Sequence, residues 1–186
     1  MPPGIKTTKE DIINAAVEIV RNNGAQAVNA RLIATALNCS TQPIFSNFAN
    51  MEDLRLAVVE KADIMCQHYI KKEVESRKFP PYKASGMAYI RFAKEEKELF
   101  KLLYMRDRKG ESTHEGSTLN DKMETIVQNN TGLTGKDVKI FHLEMWAYVH
   151  GIAAMFATGF FDLEWELVSR MLSDAYQGLR KQYGME

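Results

Sequence analysis

Cysteine is nearly absent. Cys39 and Cys66 are the two in a chain of 186 residues, too few for a disulfide framework, and they fit a reducing, cytoplasmic setting. Proline is also scarce, five residues of which two open the chain, so most segments are free to form helix. No apolar run reaches the length of a bilayer span. The longest, "GIAAMFATGFF", is followed at once by Asp162 and Glu164, and no membrane segment is expected. The opening "MPPGIKTTKED" lacks the basic and then apolar layout of a secretory signal. Excess charge of either sign is missing too: 24 basic residues face 24 acidic ones. Zero net charge argues neither for nor against a nucleic-acid partner, because what DNA feels is the docking face.

What is present is helical periodicity. Between the glycine and proline breaks, apolar residues recur at steps of three and four with no sustained alternation, which predicts an all-α chain. Thr8, with Asp11 three positions on, caps a first helix that buries Ile12, Ile13, Ala16, Ile19 and Val20 and leaves through a left-handed Gly24. A long fourth helix starts at the Asn50 cap and ends at "FPPY". One or two aromatic-rich helices follow, then a polar connector, "RDRKGESTHEGS", expected to be a mobile loop, and a helix over Leu119–Asn129. The last two helices run from Lys136 to about Phe160 and from Glu164 to about Tyr183. Their apolar stripes are Val138, Phe141, Met145, Val149, Ile152 and Phe156 in one, and Val168, Met171, Leu172, Ala175 and Leu179 in the other.

Residues 29–48 carry the sharpest pattern. Asn29 can cap a helix of about Ala30–Leu37, with Val28 and Ile33 placed as a hydrophobic staple. Ala34 is small enough for a close helix crossing, and Asn38 tolerates the left-handed corner. Ser40 is expected to cap the second helix through the N–H of Gln42, since Pro43 has none to give. Ile44 and Phe48 then face inward. Thr41, Gln42, Phe45, Ser46 and Asn47 face outward, a set of short hydrogen-bonding groups and one aromatic that suits base edges in a major groove. The spacing also fits a helical hairpin whose second helix is merely solvated. Charge gives DNA little help: residues 1–60 hold five basic side chains against six acidic ones.

The stretches "TTKEDIINAAVEIVRNNGAQAV" and "NARLIATALNCSTQPIFSNFANMEDL" resemble the TetR family of one-component bacterial transcriptional regulators. The likeness implies a DNA-binding domain at 7–66 and a C-terminal helical ligand-binding and dimerisation domain at 67–186. It implies base or phosphate contacts for Asn29, Arg31, Thr41, Gln42, Phe45, Ser46 and Asn47. It further implies a homodimer formed by the last two helices on a palindromic operator, released by a small-molecule effector. Asn38 stands where the family commonly has glycine, Phe45 and Asn47 where tyrosines are frequent, and Met51 where a phosphate-binding lysine is frequent. A shallow salt dependence of DNA binding is therefore expected.

Pocket candidates are Tyr89, Phe92, Phe100, Leu103, Tyr104, Met123, Ile126, Trp146 and His150, a set that suggests an apolar or aromatic ligand. Nothing points to catalysis or to a cofactor. There is no phosphate loop, dinucleotide fingerprint or serine elbow. Glu111 and His114 form one copy of a spacing that a metal site needs twice, and His142 and His150 lack companions. The competing reading is a helical dimeric interaction module without sequence-specific DNA binding.

Overall fold

The computed structural model describes residues 7–106 and 118–185, and every regular element among them is helical. In chain order these are α1 (Lys9–Asn23), a single 3₁₀ turn (Ala25–Ala27), α2 (Ala30–Ala36), α3 (Gln42–Asn47), α4 (Met51–Glu75), α5 (Pro81–Glu95), α6 (Lys97–Tyr104), α7 (Thr118–Thr131), α8 (Lys136–Thr158) and α9 (Trp165–Gln182). No described helix is long and apolar enough to cross a membrane. The connector, from residue 107 on, lies outside the described residues, as do Glu111 and His114. The chain divides into two packed units. One takes the described residues up to Gln67 together with Glu96–Arg106; the other takes His68–Glu95 and the described residues from 118 on.

In the first unit α1 is the hub, packed on α2, α3 and α6. Its start is a capping box: the Asp11 N–H donates to Thr8 Oγ1 at 3.1 Å, and the Thr8 N–H donates back to the Asp11 carboxylate at 2.9 Å. The Thr8 hydroxyl, which donates to the Asp11 carboxylate at 2.6 Å, and then the Thr8 N–H hold that carboxyl below the usual carboxylate range. Ile12, Ala16, Val17, Ile19 and Val20 are buried, so Val17 joins the expected stripe while Ile13 is only half-buried. Gly24 leaves α1 at φ 82°, ψ 164°, an extended mirror-image conformation open essentially to glycine alone. The expected left-handed helical exit is therefore not the one used.

Arg21 and Glu96 join α1 to the start of α6. Arg21 Nε donates to Glu96 Oε2 at 2.8 Å and Nη2 to Oε1 at 2.6 Å, a forked pair in which Glu96 is largely buried; Glu18 pairs with the same guanidinium. The Glu96 bonds raise the Arg21 pKa, which leaves it charged at any relevant pH. α4 begins as expected, with the Asp53 N–H on Asn50 Oδ1 at 2.9 Å, and buries Leu54, Val58, Ala62, Cys66 and Ile70 at every fourth residue. Tyr104 donates to Cys66 Sγ at 3.6 Å, and burial pushes that thiol up to about 12, so Cys66 is a packing group.

The second unit is built on α5 against α8. α5 buries Ala84, Met87, Ala88, Tyr89, Ile90, Phe92 and Ala93; α8 buries every residue of its expected stripe, with Ala153 and Ala157 besides. A Cβ on Gly86 would lie 3.3 Å from Val149 and 3.4 Å from Leu172, which shows how closely α5 approaches both C-terminal helices. Val127 of α7 joins Val138, Phe141 and Met145 in a second cluster, flanked by Tyr176 and Leu179 of α9.

Replacing Glu96 by Ala removes two charge-assisted hydrogen bonds from a partly buried guanidinium, and the expected loss is about 1–3 kcal/mol. Glu18→Ala, at an exposed i,i+3 pair, is expected to cost about 0.5 kcal/mol or less. Urea midpoints at unchanged slope distinguish the two; equal effects would mean that the forked bridge contributes nothing beyond a surface pair.

Candidate nucleic-acid interface

The corner of the helix-turn-helix is made by backbone geometry. Asn29 sits in extended conformation, its Oδ1 accepts the Leu32 N–H at 3.0 Å, and its Nδ2 donates to the Ala27 carbonyl at 3.0 Å. Val28 and Ile33 are both buried, as a staple requires. At the far end Asn38 takes φ +50°, its N–H reaches the Thr35 carbonyl at 3.1 Å, and the next N–H, of Cys39, reaches Ala34 at 2.9 Å. This paired pattern is the Schellman motif, with asparagine in the left-handed position. Buried Ala34, with no side chain beyond Cβ, lies at this corner.

α3 starts differently from the expectation. Thr41 occupies the N-cap position with helical dihedrals, and no side chain caps the helix. A serine cap needs an extended backbone, and the chain has already turned helical at Thr41, which leaves Ser40 exposed and outside the role. Ile44 and Phe48 are buried as the inner face, and Lys9 Nζ lies 5.1 Å over the Phe48 ring.

The outward set divides by what each side chain is already doing. Gln42 and Ser46 are exposed and Phe45 is 54% exposed, while Thr41 and Asn47 are half-buried. Ser46 Oγ donates to the Gln42 carbonyl at 2.9 Å and Asn47 Nδ2 to the Pro43 carbonyl at 2.7 Å, so both spend a donor on their own helix. Gln42, Phe45 and, on α2, Arg31 project without such a tie. Lys9 was not among the expected contacts. Its partner ring lies 39 residues along the chain, and no local pattern signals the pairing.

Charge around this face is mostly consumed internally. Glu10 pairs with Lys61 at 2.6 Å, Glu18 and Glu96 with Arg21, and Glu52 with Arg55 at 3.6 Å. Lys9 and Arg31 are left without an ion pair among the described residues.

The nine pocket candidates fall into both units. Phe100, Leu103 and Tyr104 lie on α6 in the first, where Phe100 and Leu103 are buried and the Phe100 and Tyr104 rings are 5.0 Å apart. In the second, Phe92 is fully buried with Tyr69 edge-on at 5.4 Å, and Met123 and Ile126 are half-buried on α7. Tyr89, Trp146 and His150 come together: the Tyr89 hydroxyl is 3.0 Å from His150 Nδ1, and Trp146 stacks on the imidazole at 4.9 Å. Two turns away the pairing repeats, with the Tyr82 hydroxyl 2.9 Å from His142 Nδ1. Burial lowers the pKa of both histidines and raises that of Tyr82.

A two-unit all-helical protein with an N-terminal helix-turn-helix is the class this geometry defines. Residues 82–175 match the family described as tetracyclin repressor-like, C-terminal domain. The chain belongs to that family, TetR, whose members are DNA-binding transcriptional regulators and not enzymes. No curated protein matches by sequence. Solved structures share the fold at low identity. A protein with unknown function from Rhodococcus sp. RHA1 is 19% identical with a TM-score of 0.76, covering 98% of each chain. A TetR-like transcriptional regulator from the same organism is 13% identical with a TM-score of 0.70, covering 96% of this chain and 98% of that one. MexZ, a key repressor responsible for antibiotic resistance in Pseudomonas aeruginosa, is 18% identical with a TM-score of 0.59, covering 92% and 94%.

The two Tyr–His pairs set a pH dependence. A histidine whose folded pKa lies below its ordinary 6.5 takes up protons more readily when unfolded, so stability rises with pH across that window. The contribution is complete above about pH 6.5 and is lost as pH falls through the lowered folded values. Melting temperatures of wild type should drop between about pH 6.5 and 5, and the double variant His142→Gln, His150→Gln should show a flatter profile. Parallel profiles would assign the acid sensitivity to other groups.

Proposed function

We propose that the protein is a homodimeric repressor that holds a palindromic operator through two copies of α3 and is released by an apolar or aromatic small molecule. The observation that carries the reading is the outward edge of α3, where Gln42 and Phe45 stand exposed after a corner turned by Asn38, with Arg31 exposed on α2. Residues 7–66 then serve as the DNA-binding domain and 67–186 as the ligand-binding and dimerisation domain. Gln42 can pair bidentately with adenine, and Phe45 can meet a thymine methyl. Lys9 and Arg31 supply the phosphate contacts, with Asn29 and Thr41 near the backbone. Ser46 and Asn47 act mainly by holding α3 in shape, through their bonds to its carbonyls.

Dimerisation through the last two helices is supported by what α8 and α9 leave uncovered. Ile140, Leu143, Trp146 and Tyr148 on α8 and Leu167 on α9 are exposed large apolar side chains. Ala147, Gly151 and Ala154 continue the outer stripe of α8 with small residues that permit close approach of a second helix. The effector reading rests on the Tyr89, His150 and Trp146 cluster, an aromatic surface with a polar handle. α4 is one continuous helix from Met51 to Glu75, so a ligand that shifts its last turns also shifts the reading heads.

Selection from a random double-stranded DNA pool tests this directly. Wild type should enrich an inverted repeat; a single half-site motif would exclude two-fold binding, and no enrichment would favour a helical interaction module. Gln42→Ala should weaken specific binding by about 1–3 kcal/mol and relax one base position per half-site, whereas Ser46→Ala should change affinity by less. Salt titration supplies an independent check. If Lys9 and Arg31 each neutralise one phosphate per protomer, the slope of log affinity against log salt should be roughly −4, and a slope near −8 would require cations that this reading does not use.

A further inference from the structure

The second unit has a polar groove that the effector reading does not use. It is partly open to solvent, has a volume of about 470 Å³ and is lined by His68, Tyr69, Lys72, Glu73, Arg91 and Glu95, from the end of α4 and the end of α5. Arg91 is its unusual member. Its guanidinium lies 4.7 Å over the Trp165 ring, and Trp165 is itself stacked on Phe156, so the group is held in place by aromatic contact. Its Nε is buried and makes no hydrogen bond to the described residues, its nearest groups being carboxylates at ion-pair distance. Glu73 stands 4.0 Å from Nε and Glu95 3.9 Å from Nη1, both beyond hydrogen-bonding distance. Glu95 is in turn occupied by the Tyr69 hydroxyl at 2.9 Å.

A fixed guanidinium with its fork unfilled is matched by a planar carboxylate, which takes two parallel N–H bonds. The lining also bounds what else such a molecule carries. Lys72 and Arg91 are balanced by Glu73 and Glu95, so a simple anion would meet two carboxylates and a simple cation would meet two bases. Both signs are satisfied by a molecule that has both. We propose that this groove binds a small zwitterion of amino-acid or short-peptide size, with its carboxylate on Arg91 and Lys72 and its ammonium toward Glu73 and Glu95. The volume falls in the range of small-molecule sites. The assignment concerns binding alone and holds or fails independently of DNA recognition and of the apolar effector region.

The probes are the twenty L-amino acids and the alanyl dipeptides, screened against the full chain by saturation-transfer NMR, with affinities then measured by calorimetry. At least one should bind with a Kd tighter than about 1 mM. Its N-acetyl and C-amide derivatives should each bind roughly tenfold more weakly, since each removes one charge-assisted contact. Arg91→Lys, which keeps the charge and loses the fork, should weaken the best probe by roughly tenfold, and circular dichroism melting reports whether the variant is folded. Lys72→Ala changes an exposed rim residue and should weaken it severalfold, which keeps the test decisive if Arg91→Lys does not fold. Absence of any binding probe overturns the proposal, as does a probe whose affinity is unchanged by Lys72→Ala and by blocking either terminus. Binding that depends on these residues establishes the site, whether or not it releases DNA.

Discussion

The approach of α5 to α8 is the constraint on which the second unit depends. Ala84, Ala88 and Ala93 on α5 and Ala153 and Ala157 on α8 are all buried, α5 packs on α8, and the two backbones come close enough that a methyl at Gly86 would press on Val149. A seam this tight excludes water, so polar groups on it must find partners within the protein. Tyr82 with His142 and Tyr89 with His150 do so as two rungs, seven residues apart on α5 and eight on α8, one two-turn repeat of each helix. That face of α8 is filled, and among the described residues its outer face leaves large apolar side chains exposed. The exposed Ile140, Leu143 and Trp146 follow from the seam as much as from their own side chains.

Much of this was legible in the sequence because it is governed by period and by local hydrogen bonding. The six apolar positions of α8 are all buried, Thr8 and Asn29 cap as their spacing implies, and Asn38 turns the corner with a positive φ. What escaped depends on competition or on distance. Ser40 lost the capping role because Thr41 adopted helical dihedrals, a choice of backbone that side-chain identity does not dictate. Ser46 and Asn47 were legible as outward-facing, yet their donors turn back onto carbonyls four residues earlier, an alternative open to short polar side chains on any helix. α6 belongs by packing with α1, through an arginine and a glutamate 75 residues apart, and sequence order says nothing of that. The Arg91 groove was hidden for the same reason: its parts come from α4, α5 and, through Trp165, the start of α9.

The distribution of charge in the first unit bears on how such a protein can recognise DNA at all. Of its acidic side chains, which would repel phosphate, Glu10, Glu18, Glu52 and Glu96 each face a base within the unit, while Asp11, Asp53, Glu60 and Asp63 have no ion pair among the described residues. Apart from the largely buried Arg21–Glu96 bridge, exposed pairs of this kind add little stability. Their effect is to lower the local field, at the cost of occupying Arg21, Arg55 and Lys61. With Lys9, Arg31 and, on α6, Lys97 left without an ion pair among the described residues, the non-specific phosphate attraction that dominates most DNA binding is weak from the outset. On the proposed reading discrimination does not suffer in proportion, because the ratio of specific to non-specific affinity depends on contacts to base edges, which Gln42 and Phe45 would make without net charge. The proposed two-fold dimer would double those contacts. For a regulator with so few free cations, symmetry would then supply the affinity that charge does not.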